Sequence, residues 1–251
     1  MLALFTDFGL QGPYVGLLKL ALLRYAPSVP IIDLLHDAPA FAVQEAAYLL
    51  AAYVPEFPAG TVFVGIVDPG VGGTRAGLLV RVDENWLVGP DNGLFDRVVA
   101  RARQTIVWRI TWQPKRLSAS FHGRDLFAPV AAQLATGTAG PEQFGELIPF
   151  SCRDWPEELA RIVYIDRYGN AMTGIRAAAL ETDAMIQVGD WELRQGQTFS
   201  TVPVGQGLWY ENSSGLVELA VNQGSAAEKW GLRVGDAVKV GGETRTVIHD
   251  H

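Results

Sequence analysis

Three aspartates follow short apolar runs near the start of the chain: Asp7 in Thr6-Asp7-Phe8-Gly9, Asp33 after Ile32, and Asp68 in Val67-Asp68-Pro69-Gly70. If those runs are strands of a parallel sheet, their carboxyl ends form the edge at which α/β proteins bind ligands. A single aspartate there is ordinarily a turn former or helix cap, and Asp33 fits that role. Three on one edge make a polar floor. The loop Asp68-Pro69-Gly70-Val71-Gly72-Gly73-Thr74-Arg75 adds glycines that admit close backbone approach to a ligand, and amides suited to an anion. It lacks the Gly-Lys-Ser/Thr that a P-loop sets against a triphosphate. Arg75 can turn back onto Asp68 along a curled loop.

Two further loops carry polar groups, Gly89-Pro90-Asp91-Asn92-Gly93 and Phe121-His122-Gly123-Arg124-Asp125. His122 precedes a helical stretch, where a general base, a ligand or a solvated loop residue all fit. His36 follows the second strand, His249 and His251 lie at the tail, and no second His or Cys stands at metal-ligand spacing from His122. No metal site and no cofactor are therefore expected. Asp7-Phe8-Gly9 repeats a kinase metal-binding tripeptide without the loops that accompany it. Gly231–Asp236, after Ala226-Ala227, looks like the end of a peptide-binding module but reads better as a turn.

The frame for these loops is legible in the hydrophobic pattern. Leu2–Thr6, Pro30–Leu35 and Thr61–Val67 read as strands, and Tyr14–Tyr25, Val43–Tyr53 and Leu126–Ala135 as helices, the last stopped at Gly137. Gly77–Val82 and Trp86–Val88 flank Asp83-Glu84-Asn85 as a hairpin. Alternating strands and helices predict an α/β fold: a mainly parallel sheet with flanking helices. After Pro149 the texture changes. Short runs at Ile162–Ile165, Met185–Val188, Val217–Val221, Ala237–Val240 and Thr244–Ile248 predict a smaller antiparallel β-barrel. The boundary falls in Phe150–Glu158, giving an N-terminal α/β domain over 1–152 and a C-terminal domain over 159–251.

Composition narrows the partners. Apolar residues are 49% of the 251, charged residues 19%, and the net charge is −7. An acidic chain with no Lys/Arg run has no footprint for nucleic acid or an anionic membrane, so a small-molecule substrate is expected. Tyr14–Tyr25 is broken by Lys19 and Arg24, well short of the ~20 apolar residues of a membrane span. The N-terminus lacks a signal-peptide pattern. A lone cysteine, Cys152, suits a reducing compartment and reads as a small buried residue. A cytoplasmic protein is expected.

Taken in order, several motifs resemble the S-adenosylmethionine hydroxide adenosyltransferase family, relatives of the fluorinases and chlorinases. They are Thr6-Asp7-Phe8-Gly9 with Tyr14-Val15-Gly16 and Lys19, Phe57-Pro58-Ala59-Gly60-Thr61-Val62, and Val67-Asp68-Pro69-Gly70-Val71-Gly72 with Arg75. Gly89–Gly93, Phe121–Asp125, Asp166-Arg167-Tyr168-Gly169-Asn170 and Asn212-Ser213-Ser214-Gly215 with Glu218-Leu219-Ala220 and Asn222 complete the set. The resemblance implies hydrolysis of S-adenosylmethionine at C5′ to adenosine and methionine, the molecule being substrate rather than cofactor. It also implies a homotrimer with the site at the subunit interface. By position it makes Asp68, Arg75 and His122 a water-handling triad. Asp7 becomes the holder of the ribose hydroxyls and Phe41 an aromatic beside the sugar. Asp166, Asn170, Ser213 and Asn222 fall where methionine and adenine are contacted. The family often has an acid at Gly12, and its halogenases have Arg at Ser214. Two alternatives are a halogenase using chloride or fluoride and a non-catalytic sensor of S-adenosylmethionine or adenosine. Asp68 opposes the first, because a buried carboxylate repels a halide.

Overall fold

In the computed structural model, which describes residues 1–181 and 183–241, Leu2–Thr6 (β1) is buried along its whole length. A strand with no polar face belongs inside a sheet covered on both sides. Tyr14–Tyr25 (α1), Ile31–Leu35 (β2), Val43–Tyr53 (α2), Val62–Ile66 (β3) and the hairpin Gly77–Val82 (β4) with Asn85–Pro90 (β5) follow. Asp96–Arg101 (α3), Thr105–Ile110 (β6), Ala128–Thr136 (α4) and Gly145–Leu147 (β7) complete this unit. The strands form one sheet in the order β2-β1-β3-β5-β4-β6-β7. β2, β1, β3 and β5 run parallel, β4 reverses, β6 returns to the first direction and β7 reverses again. The sheet is therefore mixed, with most strands pointing one way.

Alternation assigns the two faces. Leu2, Leu4, Val62, Val64 and Ile66 pack with Leu18 and Leu22 of α1 and with Val130 and Ala131 of α4. The intervening Ala3, Phe5 and Phe63 are equally buried, and α2 packs against α3, where the Arg97 guanidinium lies 5.2 Å from the Tyr48 ring centre. Helices on both faces leave the strand ends as the places where polar side chains can gather.

The chain divides into two compact units, Met1–Trp155 and the part from Pro156 on. In the second, Leu159–Ile165 (β8), Ala171–Arg176 (β9), Met185–Val188 (β10), Trp191–Leu193 (β11), Gly207–Glu211 (β12), Leu216–Val221 (β13), Ala226–Trp230 (α5) and Lys239–Gly241 (β14) occur in turn. They form two separate antiparallel sheets, β12-β13-β9-β8 and β11-β10-β14. Ile162, Ile175, Ile186, Trp209 and Leu219 belong to their shared core, and the Trp209 indole N–H donates to the Ala184 carbonyl at 2.9 Å.

α1, α2, β4 and β10 coincide with the expected segments. The helix expected from Leu126 starts instead at Ala128. Leu126 and Phe127 belong to a π-helical turn over Gly123–Phe127, and Pro129 occupies the first turn of α4, where its missing N–H costs nothing. α3, β6, β7, β9, β11, β12 and α5 were not anticipated. The strand expected over Thr244–Ile248, with His249 and His251, lies outside the described residues.

The contact between β3 and β5 admits no side chain at Gly89. A β-carbon there would press on the Gly65 carbonyl oxygen and lie 2.7 Å from Cζ of Phe95. Gly89→Ala should therefore destabilise the protein by about 1–3 kcal/mol through overpacking. Gly137, at φ +68° with open space around it, should cost about 1 kcal/mol as alanine, from backbone strain alone. Urea unfolding of both variants checks the difference. A Gly89→Ala variant as stable as the parent would show that the two strands are not in tight contact.

Candidate active site

β1 and β3 lie side by side and end together, which is why Asp7 and Asp68 emerge at one edge. The Asp7 amide donates to the Ile66 carbonyl at 3.3 Å. One residue before Asp68, the Val67 carbonyl accepts the side-chain amide of Asn92 at 2.7 Å. The glycine loop then curls, so that Arg75 meets Asp68. Arg75 Nε donates to Asp68 Oδ1 at 3.0 Å and Nη2 donates to Oδ2, a bidentate pair. Both side chains are largely buried, 12% exposed for Arg75 and 4% for Asp68. Gly72 lies so close to the Ala119 carbonyl that a β-carbon would collide with it. This contact joins the glycine loop to the segment that carries His122.

Arg75 Nη2 also lies 3.0 Å from His122 Nδ1. A guanidinium only donates, so Nδ1 is the acceptor and a neutral ring carries its proton on Nε2. Burial, and then the Arg75 charge, push the His122 pKa below its usual value, while Asp68 and Asp125 oppose the shift. The Phe127 ring centre lies 5.3 Å from the guanidinium carbon of Arg75. Phe127 reaches that place from the π-helical turn, whose defining bond runs from the Ala128 N–H to the Gly123 carbonyl.

Burial raises the Asp7 pKa above that of an ordinary carboxyl, and the nearby Asp68 charge adds to the rise. The amides of Phe41 and of Asp7 itself act in the opposite direction by hydrogen bonding to the carboxylate. Phe41 has φ +62° and is 77% exposed. A left-handed backbone at an aromatic residue is strained, and such strain concentrates at functional sites. Phe8, Tyr14 and Phe121 form an aromatic cluster with ring centres 5.5–5.9 Å apart. The residue after Asp7 is thereby packed against the residue before His122.

In the second unit, Asp166 and Asn170 close one turn. Asp166 Oδ1 accepts the Tyr168 and Asn170 amides, both at 2.8 Å, and Oδ2 accepts the Asn170 side chain at 3.0 Å. Ser213 is exposed on the Asn212–Gly215 turn, which Asn212 Oδ1 holds by accepting the Ser214 and Leu216 amides at 3.0 Å. The Asn222 side-chain N–H donates to the Val202 carbonyl at 2.7 Å. Sequence reasoning assigned no role to Glu218, which is 3% exposed. Its carboxylate accepts the Tyr210 hydroxyl and, at 2.9 Å, the Asn212 amide. Burial raises its pKa, with Asp166 contributing in the same direction. Asn92 and the network joining Lys19, Asp33, His36 and Thr6 were also missed. Cys152 is half-buried, its thiol directed at the Asp96 carbonyl.

Among the sequence candidates, the structure thus joins Asp68, Arg75 and His122 directly and brings Asp7 and Phe41 together beside them. Asp166 and Asn170 form a separate pair. Comparison with known proteins agrees with the motifs. The model of the SAM hydroxide adenosyltransferase N-terminal domain matches residues 2–145, and that of the C-terminal domain matches 160–239. The (R)-S-adenosyl-L-methionine hydrolase of Thermus thermophilus is 36% identical over 264 residues, covering 94% of this chain and 97% of its own. A fluorinase of Nocardia brasiliensis is more distant, at 25% over 290 residues and 96% of each chain. The crystal structure of an uncharacterized conserved protein from Thermotoga maritima superposes with a TM-score of 0.86 at 30% identity, covering 96% of this chain and 99% of that one. The two domain models take in most of the chain in order, and the protein belongs to the SAM hydroxide adenosyltransferase family.

Proposed function

We propose that the protein hydrolyses S-adenosylmethionine, adding water or hydroxide at C5′ and releasing adenosine and L-methionine. The observation that carries this reading is the Arg75 guanidinium bound at once to Asp68 and His122. The relative named (R)-S-adenosyl-L-methionine hydrolase supports the same substrate. The sulfonium leaves as a neutral thioether, so the reaction needs no acid for the leaving group and no cofactor. What it needs is an oxygen nucleophile held in line with the C5′–S bond. Asp68 takes the proton from water through the lone pairs Arg75 leaves free, and Arg75 stabilises the developing hydroxide. Because Arg75 holds Nδ1 of His122, the imidazole presents Nε2–H, which orients the attacking oxygen. Asp7 accepts both ribose hydroxyls and Phe41 packs beside the sugar. Asp166, Asn170, Ser213 and Asn222 contact methionine and adenine.

A halide nucleophile would enter beside the buried Asp68 carboxylate and be repelled by it. A sensor would bind the same ligand without turning it over. We further propose a cytoplasmic homotrimer with substrate bound between subunits. The exposed Leu10, Tyr14 and Phe41 near Asp7 support an interface there. The second unit is proposed to close into a β-barrel. Bridges between Arg161 and Ala237 and between Gln195 and Trp209, at the margins of the two sheets, support this.

Incubation with S-adenosylmethionine tests the reaction directly: adenosine and methionine appear in equal amounts, whereas a sensor returns the ligand unchanged. Asp68→Asn keeps the shape and removes the proton acceptor, and His122→Ala removes the group that orients water. Each should slow single-turnover adenosine release by roughly 10²–10⁴-fold while changing affinity much less. The two losses should fall well short of multiplying if the residues act as a unit. A slower rate explained wholly by weaker binding would remove Asp68 from the chemistry.

The depressed His122 pKa has a measurable sign. A ring whose pKa is lowered stays neutral while an ordinary imidazole, at 6.5, is half protonated, so it charges only at more acidic pH. NMR titration should place the His122 midpoint below 6.5. In Arg75→Met it should rise, since the lowering charge is gone and those of Asp68 and Asp125 remain. A midpoint that does not move would mean that Arg75 does not hold Nδ1 in solution.

A further inference from the structure

Near Asp7 lies a polar network, buried at Thr6 and His36 and open to solvent at Lys19 and Asp33, that the chemistry above does not use. We infer that His36 is a positioning residue for the Asp7 carboxylate, acting through Thr6 and Phe8 on either side of it. This rests on the reading of Asp7 as the acceptor of the ribose hydroxyls.

The backbone places His36 there by an irregularity. β1 and β2 pair Leu4 with Asp33 and then Phe5 with Leu35, so Leu34 is an extra residue. In an unbroken register Leu35 would stand beside Thr6, and the bulge puts His36 there instead. Bulges next to functional sites re-aim side chains in this way, and they are rare in parallel pairs. Backbone bonds hold the arrangement: the Gly9 N–H donates to the His36 carbonyl at 2.6 Å and the Ala38 N–H to the Thr6 carbonyl at 3.1 Å.

The side chains then form a chain with one direction. His36, 3% exposed, has Nε2 2.9 Å from Asp33 Oδ1 and Nδ1 2.8 Å from Thr6 Oγ1. The carboxylate only accepts, so Nε2 donates to it, and in a neutral ring Nδ1 accepts the Thr6 hydroxyl. The Thr6 oxygen in turn accepts the Phe8 amide at 3.3 Å. Lys19 on α1 fixes the far end, donating to Asp33 Oδ2 at 2.5 Å. A satisfied network with a single arrangement is rigid. It clamps the residues before and after Asp7, and the segment leaving His36 runs on to Phe41, whose amide meets the Asp7 carboxylate. His36 thus stands at the root of both arms that aim that carboxylate.

The test is equilibrium binding of adenosine and 2′-deoxyadenosine, with kcat and KM for S-adenosylmethionine, in the parent and four variants. Asp7→Ala should abolish the preference for adenosine. Thr6→Val, which has the same shape without the hydroxyl, and His36→Phe should each reduce that preference roughly tenfold, about one charge-assisted hydrogen bond. KM should rise in step and kcat change little, because Asp68, Arg75 and His122 are untouched. His36→Asn, whose side-chain oxygen can take the place of Nδ1, should restore most of the preference. Equal weakening of both nucleosides, or an unchanged preference in Thr6→Val, would make the network a staple of the fold and overturn the inference. Should His36→Phe fail to fold, Thr6→Val decides alone. If Asp7→Ala keeps the preference, the ribose reading itself fails. If Asp7→Ala loses it while Thr6→Val and His36→Phe retain it, only the role of His36 fails.

Discussion

Arg75 carries a full charge in a place that is mostly out of water, and much of the local architecture exists to make that tolerable. A buried cation needs a partner of opposite charge and further hydrogen-bond acceptors, or its desolvation dominates. Asp68 supplies the charge, His122 Nδ1 a second acceptor, and the Phe127 ring a polarisable face. Each has its own support. Asn92 fixes the carbonyl ahead of Asp68, Gly72 lets the Ala119 backbone close against the glycine loop, and the π-helical turn delivers Phe127. Without Asp68 the guanidinium would be left uncompensated, a loss of about 3–5 kcal/mol for a buried pair broken on one side.

The same arrangement separates two carboxylates that share an edge. Asp68 is committed to a cation. Asp7 has amides rather than a cation against it, and its pKa is raised by burial and by Asp68. Backbone amides leave a carboxylate with lone pairs available for neutral hydroxyls, whereas a bidentate guanidinium keeps a cation beside its carboxylate, and a cation is what stabilises a developing hydroxide. The proposed division of labour between ribose and water follows from what each acid already touches.

Where periodicity and burial agree, the sequence was readable. α2 is apolar enough to be buried from Glu45 to Ala52, and its limits coincide with the expected ones. β6 was invisible because Ile106 and Arg109 are exposed while Val107 and Trp108 are adjacent and buried, which breaks the alternation a strand is recognised by. β9 was missed for a related reason, since Gly174 interrupts its apolar run, and β12 because Gly207 and Glu211 at its ends leave only Leu208, Trp209 and Tyr210 between them. At the site, Asp68, Arg75 and His122 came from ordered motifs, and the fold explains why they meet. Asp33 looked like a turn residue, and His36 was placed only as following the second strand. Their partnership depends on a bulge in β2, and no local pattern announces a register shift between two strands. Glu218 was hidden for another reason: an acid in Leu216–Val221 reads as a strand's exposed face, yet all six residues are buried and its partners lie on neighbouring positions of the same hairpin.

The turn over Gly123–Phe127 bears on how one helical run serves both the site and the core. A hydrogen-bonded ring closed five residues back holds one residue more than an α-helical turn, and such turns can be viewed as insertions into a helix. The wide turn absorbs that extra residue locally, so the helix faces before and after it stay nearly in register. His122 lies on the upstream side and Val130 and Ala131 on the downstream side. The wide turn thus lets His122 and Phe127 stand at Arg75 while Val130 and Ala131 of the same helical run remain in the core.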